Sequence, residues 1–167
     1  MDVQLPMTTI QRNIVNLEIV AEDLQALPDS EHWSEQHIKL IEEYKTALQL
    51  LAASLKSETE NGFRKWIESS SLGSVLATKK MVSVHLKLID YVLTYWEASQ
   101  KANSILDSNF GENADKRLEL LQVKAIRAKS QLKTVATAMG QLDYQKFVEL
   151  LNLRDEQWQW QGLIARF

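Results

Sequence analysis

Along much of its length the chain sets apolar residues in alternating steps of three and four, the spacing that keeps a stripe on one face of an α-helix. The first stripe is Ile10, Ile14, Leu17, Ala21 and Leu24. Thr8 and Gln11 precede it at capping-box spacing and Pro28 follows, which predicts a helix over about Thr8 to Leu27. A second helix begins between Asp29 and Ser34, with Glu31 and Glu35 suited to the positive end of its dipole. It carries Ile41, Tyr44, Leu48, Leu51 and Leu55, and Asn61-Gly62 ends or bends it. A short segment follows with Phe63, Trp66 and Ile67 on one side, up to the run Ser69-Ser70-Ser71.

The third long helix is predicted from about Ser74 to Ser108 and bears two adjacent stripes. One is Val75, Val82, Leu86, Ile89, Leu93 and Trp96; the other is Met81, His85, Leu88, Val92, Tyr95 and Ala102. So wide an apolar arc implies burial on more than one side and a central place. The fourth runs from about Asn113 to Met139 on Leu118, Leu121, Ala125, Ala128, Leu132 and Val135, with Gly140 just past its end. A last helix, from about Asp143 to Trp158, buries Phe147, Val148, Leu150 and Leu151. No stretch alternates as a strand would. The expected fold is all-α: an antiparallel helical bundle of four long helices plus one short segment and a C-terminal helix, in a single domain over residues 1–167. Its core should include Leu17, Leu48, Leu51, Leu86, Ile89, Leu93, Leu121 and Leu132.

Composition narrows the functional classes. With 45% hydrophobic and 25% charged residues the chain belongs among folded proteins. A net charge of -3 argues against nucleic acid as the partner, since phosphate-binding domains carry a basic surplus. The charge is unevenly spread: residues 1–60 hold eleven carboxylates and four cations, a net of -7, which leaves +4 for the rest. The absence of cysteine excludes disulfides, thiolate metal sites and a cysteine nucleophile. The start lacks the features of a secretory signal and charges interrupt every apolar stretch, so a cytoplasmic, non-membrane protein is expected.

The glycines stand singly, so no phosphate-cradling loop is present, and no serine lies in a nucleophile-elbow context. An enzyme is not expected. Of the three histidines, His32 and Glu35 read as a surface pair near a helix N-terminus, and His85, on an apolar stripe, reads as a buried residue bonded to Tyr44 or Tyr95. The series His37, Asn61-Gly62-Phe63-Arg64-Lys65-Trp66 and His85 resembles the chemoreceptor zinc-binding domain, a helical-bundle sensor module. In that family's pattern Asn61 stands where the cysteine ligand would be, Arg64 replaces a glycine, and Ile89 occupies the place of a second histidine, so zinc binding does not carry over. The stretch Leu142-Asp143-Tyr144-Gln145-Lys146-Phe147-Val148-Glu149-Leu150-Leu151-Asn152-Leu153-Arg154-Asp155 is similar in style to segments of flagellar export chaperones, small helical proteins that hold a partner's helix. Neither cofactor nor metal is expected.

Two surface features remain. On the fourth helix Lys116, Arg117, Lys124, Arg127, Lys129 and Lys133 are set against Glu119, and Arg117, Lys124 and Arg127 can share a face. Near the C-terminus, Trp158 and Trp160 stand two apart, so that on one helix they would point in nearly opposite directions, and the apolar tail runs on to Phe167. Trp158, Trp160, Phe167, Arg117, Lys124 and Arg127 are therefore the candidate contacts of a non-enzymatic interaction or scaffold protein, chaperone-like in style, that binds a protein partner or itself. On this reading the tail forms an interface. The alternative is a sensory or regulatory bundle that takes a small ligand or metal near His37 and His85.

Overall fold

A computed structural model describes residues 8–28, 35–108 and 113–165 of the protein. They form α1 (Thr9–Gln25), α2 (Glu35–Ser54), α3 (Glu60–Ile67), α4 (Lys79–Ser108), α5 (Ala114–Met139), α6 (Gln141–Leu150) and α7 (Trp160–Ala165), with a 3-10 turn at Glu156–Trp158. The fold is all-α, with no strand among the described residues. The four long helices, the short segment and the C-terminal helix all exist where the periodicity put them, and the differences lie at their ends and in a further short helix, α7, past the last one.

The start of α1 is as expected. The Gln11 N–H donates to Thr8 Oγ1 at 3.2 Å and the Thr8 N–H donates to Gln11 Oε1 at 2.9 Å, so the box is closed in both directions. Asn61-Gly62 does not end α2. That helix stops at Ser54, and Thr59 caps a new one by accepting the Gly62 N–H at 3.0 Å, which places Asn61 and Gly62 in the first turn of α3. Likewise α4 begins at Lys79 rather than Ser74, because Thr78 Oγ1 accepts the Met81 N–H at 3.1 Å. Between α3 and α4 the chain closes short turns, among them the Leu76 N–H donating to the Leu72 carbonyl at 2.8 Å, and buries both leucines.

The last helix is shorter than expected and breaks after Leu150. Asn152 takes a left-handed conformation at φ 57°, the Asn152 N–H donates to the Glu149 carbonyl at 3.1 Å, and the Leu153 N–H donates to the Val148 carbonyl at 2.9 Å. This pair of bonds is a Schellman motif with asparagine in the position glycine usually fills, and Val148 and Leu153, both buried, are the apolar pair that accompanies it. Past the motif come the 3-10 turn and α7.

The chain divides into two compact units, one holding the described residues up to Leu86 and from Leu142 onward, the other Lys87–Gln141. In the first, α1 and α2 run antiparallel: Asn13 Nδ2 near the start of α1 donates to the Leu50 carbonyl and Ser54 Oγ at the end of α2, at 3.2 and 3.3 Å. The C-terminal segment is tied to both. Gln25 Nε2 donates to the Leu150 carbonyl at 2.9 Å, Asn152 Nδ2 donates to the Leu24 carbonyl at 2.9 Å, and His37 Nε2 bonds the Leu151 carbonyl at 2.9 Å. In the second unit α5 meets α4, with Lys129 Nζ 5.3 Å from the centroid of the Tyr95 ring.

Of the eight residues expected in the core, Leu17, Leu48, Leu51, Ile89 and Leu132 have no exposed surface, whereas Leu86, Leu93 and Leu121 are half-buried. For Leu86 and Leu93 the reason is a rotation of the apolar arc. Along α4 the side chains taken fully inside include Val82, His85, Leu88, Ile89 and Val92, so the burial centres between the two stripes rather than on the first.

Candidate interaction surface

The outward face of α5 is built by the helix itself. Its inward stripe of Ala125, Ala128, Leu132 and Ala136 is buried, which fixes what points the other way. Leu120, Val123 and Ile126, at 69%, 51% and 62% exposure, lie on that opposite face, and at about 100° per residue Leu120 and Ile126 fall about 60° to either side of Val123. Beside them stand exposed Lys116, Glu119 and Arg127. In the same unit Leu106, near the end of α4, is 59% exposed. The outward positions further along α5, Ser130, Thr134 and Thr137, are polar, so the apolar strip ends there.

The cations expected on this helix divide by environment. Arg117, Lys124 and Arg127 are exposed, as a shared face requires, with Lys116 beside them, while Lys133 is half-buried. Lys129 departs from the expected solvated face: it is buried at 7% exposure, its ammonium over Tyr95. Leu120, Val123 and Ile126 were not anticipated. Their signal is present in the sequence as a second apolar set at steps of three, on the far side of the stripe through Leu121, Ala125 and Leu132.

The C-terminal candidates take a different place. Trp158 is 1% exposed, and its backbone carbonyl accepts the Tyr144 hydroxyl at 2.6 Å. The extended residue Gln159 turns the chain between the two tryptophans, so Trp160 starts a new helix and sits half-buried with its ring centroid 6.0 Å from that of Tyr144. Two side chains that one continuous helix would have sent in opposite directions thus both reach the first unit's interior. Phe167 lies outside the described residues, as does His32.

The two described histidines are both buried. Burial pulls the pKa of His37 down, and its bond to the Leu151 carbonyl opposes that shift. The imidazole of His85 packs edge-on against Phe147 with centroids 5.2 Å apart, and burial lowers its pKa to about 4. Neither of its ring nitrogens has a hydrogen-bond partner, nor does the Tyr44 hydroxyl, so the expected bond to Tyr44 or Tyr95 is not made. Among the described residues no group of three or more His, Asp or Glu side chains could hold a metal ion. A cleft of about 170 Å³ bordered by Gln25, Asn152, Arg154 and Gln159, and another of about 320 Å³ bordered by Lys56, Lys79 and Ser83, are not lined by either histidine. No described helix is long and apolar enough to cross a membrane.

Compared with known proteins, the chain matches no family model, no curated protein and no solved structure.

Proposed function

We propose that this chain is a non-enzymatic interaction protein whose contact surface is the outward face of α5, where it binds a protein partner or a second copy of itself. One observation carries the reading. Of the seven large apolar residues exposed among those described, four belong to the unit Lys87–Gln141, and three of these share one face of α5 within seven positions, rimmed by charge. Scattered exposed leucines are ordinary, whereas an apolar cluster with a polar rim is the usual make-up of a binding surface. The C-terminus supports the reading less, because Trp158 contributes its ring to the interior and Trp160 leans on Tyr144. Photo-crosslinking tests the proposal: benzoylphenylalanine in place of Val123 should give a discrete protein adduct, of the chain with itself or with a partner, and the same group in place of Gln145, exposed on α6, should not. No adduct from position 123 would sink it.

A regulatory role near His37 and His85 has the unpartnered His85 imidazole and Tyr44 hydroxyl in its favour, since buried polar groups ordinarily find partners. Elemental analysis of the purified protein separates the two readings. Stoichiometric metal that is lost in the His85→Ala variant would establish the regulatory one.

A further inference from the structure

The outward face of α5 reads the same in both directions. Centred on Val123, it has Leu120 three positions before and Ile126 three after, and Glu119 four before and Arg127 four after. Apolar answers apolar, and carboxylate answers guanidinium. Farther out, Lys116 seven before is matched by Ser130 seven after, so no like charges oppose one another there. This is the self-complementarity that an isologous contact demands, in which residue i of one copy meets residue j of the other and j meets i.

We propose, resting on the reading of this face as the contact surface, that its partner is a second copy of the chain: two α5 helices pair antiparallel about a two-fold axis passing beside Val123. In that arrangement each Glu119 stands at the level of the other copy's Arg127, twice over, and Leu120 stands at the level of the other copy's Ile126. A parallel pair in register would instead set Glu119 level with Glu119 and Arg127 level with Arg127, so the order of charges selects the antiparallel form. Arg117 and Lys124 lie toward the edge of the face, at about 100° or more from Val123, and stay out of the seam. Three apolar positions per copy make a small interface, so the dimer exchanges with monomer as concentration changes.

The chain has no cysteine, so the Val123→Cys variant carries a single thiol beside the axis, facing its own counterpart. Mild oxidation should convert it to a disulfide-linked dimer at least about tenfold faster than the Gln122→Cys variant, whose thiol lies off the seam. In sedimentation the protein should move from 19.2 kDa toward twice that mass as concentration rises. Glu119→Arg and Arg127→Glu should each weaken the dimer, and the two together should restore it, while helicity stays as it was because both sites are exposed. A mass of 19.2 kDa at every concentration, with no preference for oxidation at position 123, overturns the self-pairing. If position 123 then photo-crosslinks to a different protein, the contact-surface reading survives and only the choice of partner falls; if it crosslinks to nothing, both fall.

Discussion

The imidazole of His85 has no exposed surface, no hydrogen-bond partner and a pKa lowered to about 4, so in the folded chain it is neutral. The unfolded chain takes up a proton there near pH 6.5. Between those two values the unfolded state binds more protons, and stability therefore rises with pH: it is complete above about 6.5 and falls away as acid is added toward 4. The shift corresponds to about 3 kcal/mol. Denaturant unfolding measured from about pH 8 down to about pH 4 should show that loss, and the His85→Leu variant should flatten it, leaving the contribution of His37, which burial also lowers. Equal slopes in the two proteins would mean that His85 reaches water. The histidine's burial was legible, because Met81, Leu88 and Val92 share its stripe. Its solitude was not. Periodicity tells which face a side chain occupies and nothing about whether a polar atom from another helix reaches it, and here Phe147 meets the ring instead.

The helices themselves were legible from spacing alone, but their ends depended on which side chain won the first free N–H groups. Ser57, Thr59 and Asn61 stand close together before Gly62, as do Ser74 and Thr78 before Lys79, and of these Thr59 and Thr78 take the capping roles. At Gly140 the glycine did mark the boundary: it closes α5 with its N–H on the Ala136 carbonyl at 3.0 Å and a φ of 100° that a side chain rarely adopts. The break at Asn152 was missed because a lone asparagine in an apolar run carries no periodic signal, although Leu-Asn-Leu offers both the left-handed residue and its apolar follower. Gly162 has a different duty. A Cβ there would come within 2.0 Å of the Glu156 backbone carbonyl, so α7 can lie against the 3-10 turn only where that residue has no side chain. Gly162→Ala should therefore destabilise the protein by about 1–3 kcal/mol in denaturant titration, even though alanine is the better helix former. A stabilised variant would show that α7 does not pack against the turn as described.

Chain ends that are distant in sequence meet in the unit formed by residues up to Leu86 and from Leu142 onward, and this is the part of the architecture that periodicity could not supply. The stitches are polar and local: Gln25 on the end of α6, Asn152 on the end of α1, His37 on the Leu151 carbonyl. Each links residues more than a hundred positions apart, so none follows from a pattern read within one helix. Beyond them, Trp158 and Leu163 go fully inside, and Tyr144 gives its hydroxyl to the Trp158 carbonyl. Removing residues 156–167 would strip out both apolar side chains and orphan that hydroxyl. Loss of one buried tryptophan side chain alone costs about 3–5 kcal/mol, against a total stability of about 5–15 kcal/mol for a typical protein. The truncated protein should accordingly melt far below the full-length one or fail to fold. Where it does fold, its dependence of mass on concentration should match the full-length protein, since the truncation leaves the outward face of α5 intact. A truncated protein that keeps its melting temperature but no longer associates would move the interface from α5 to the C-terminus.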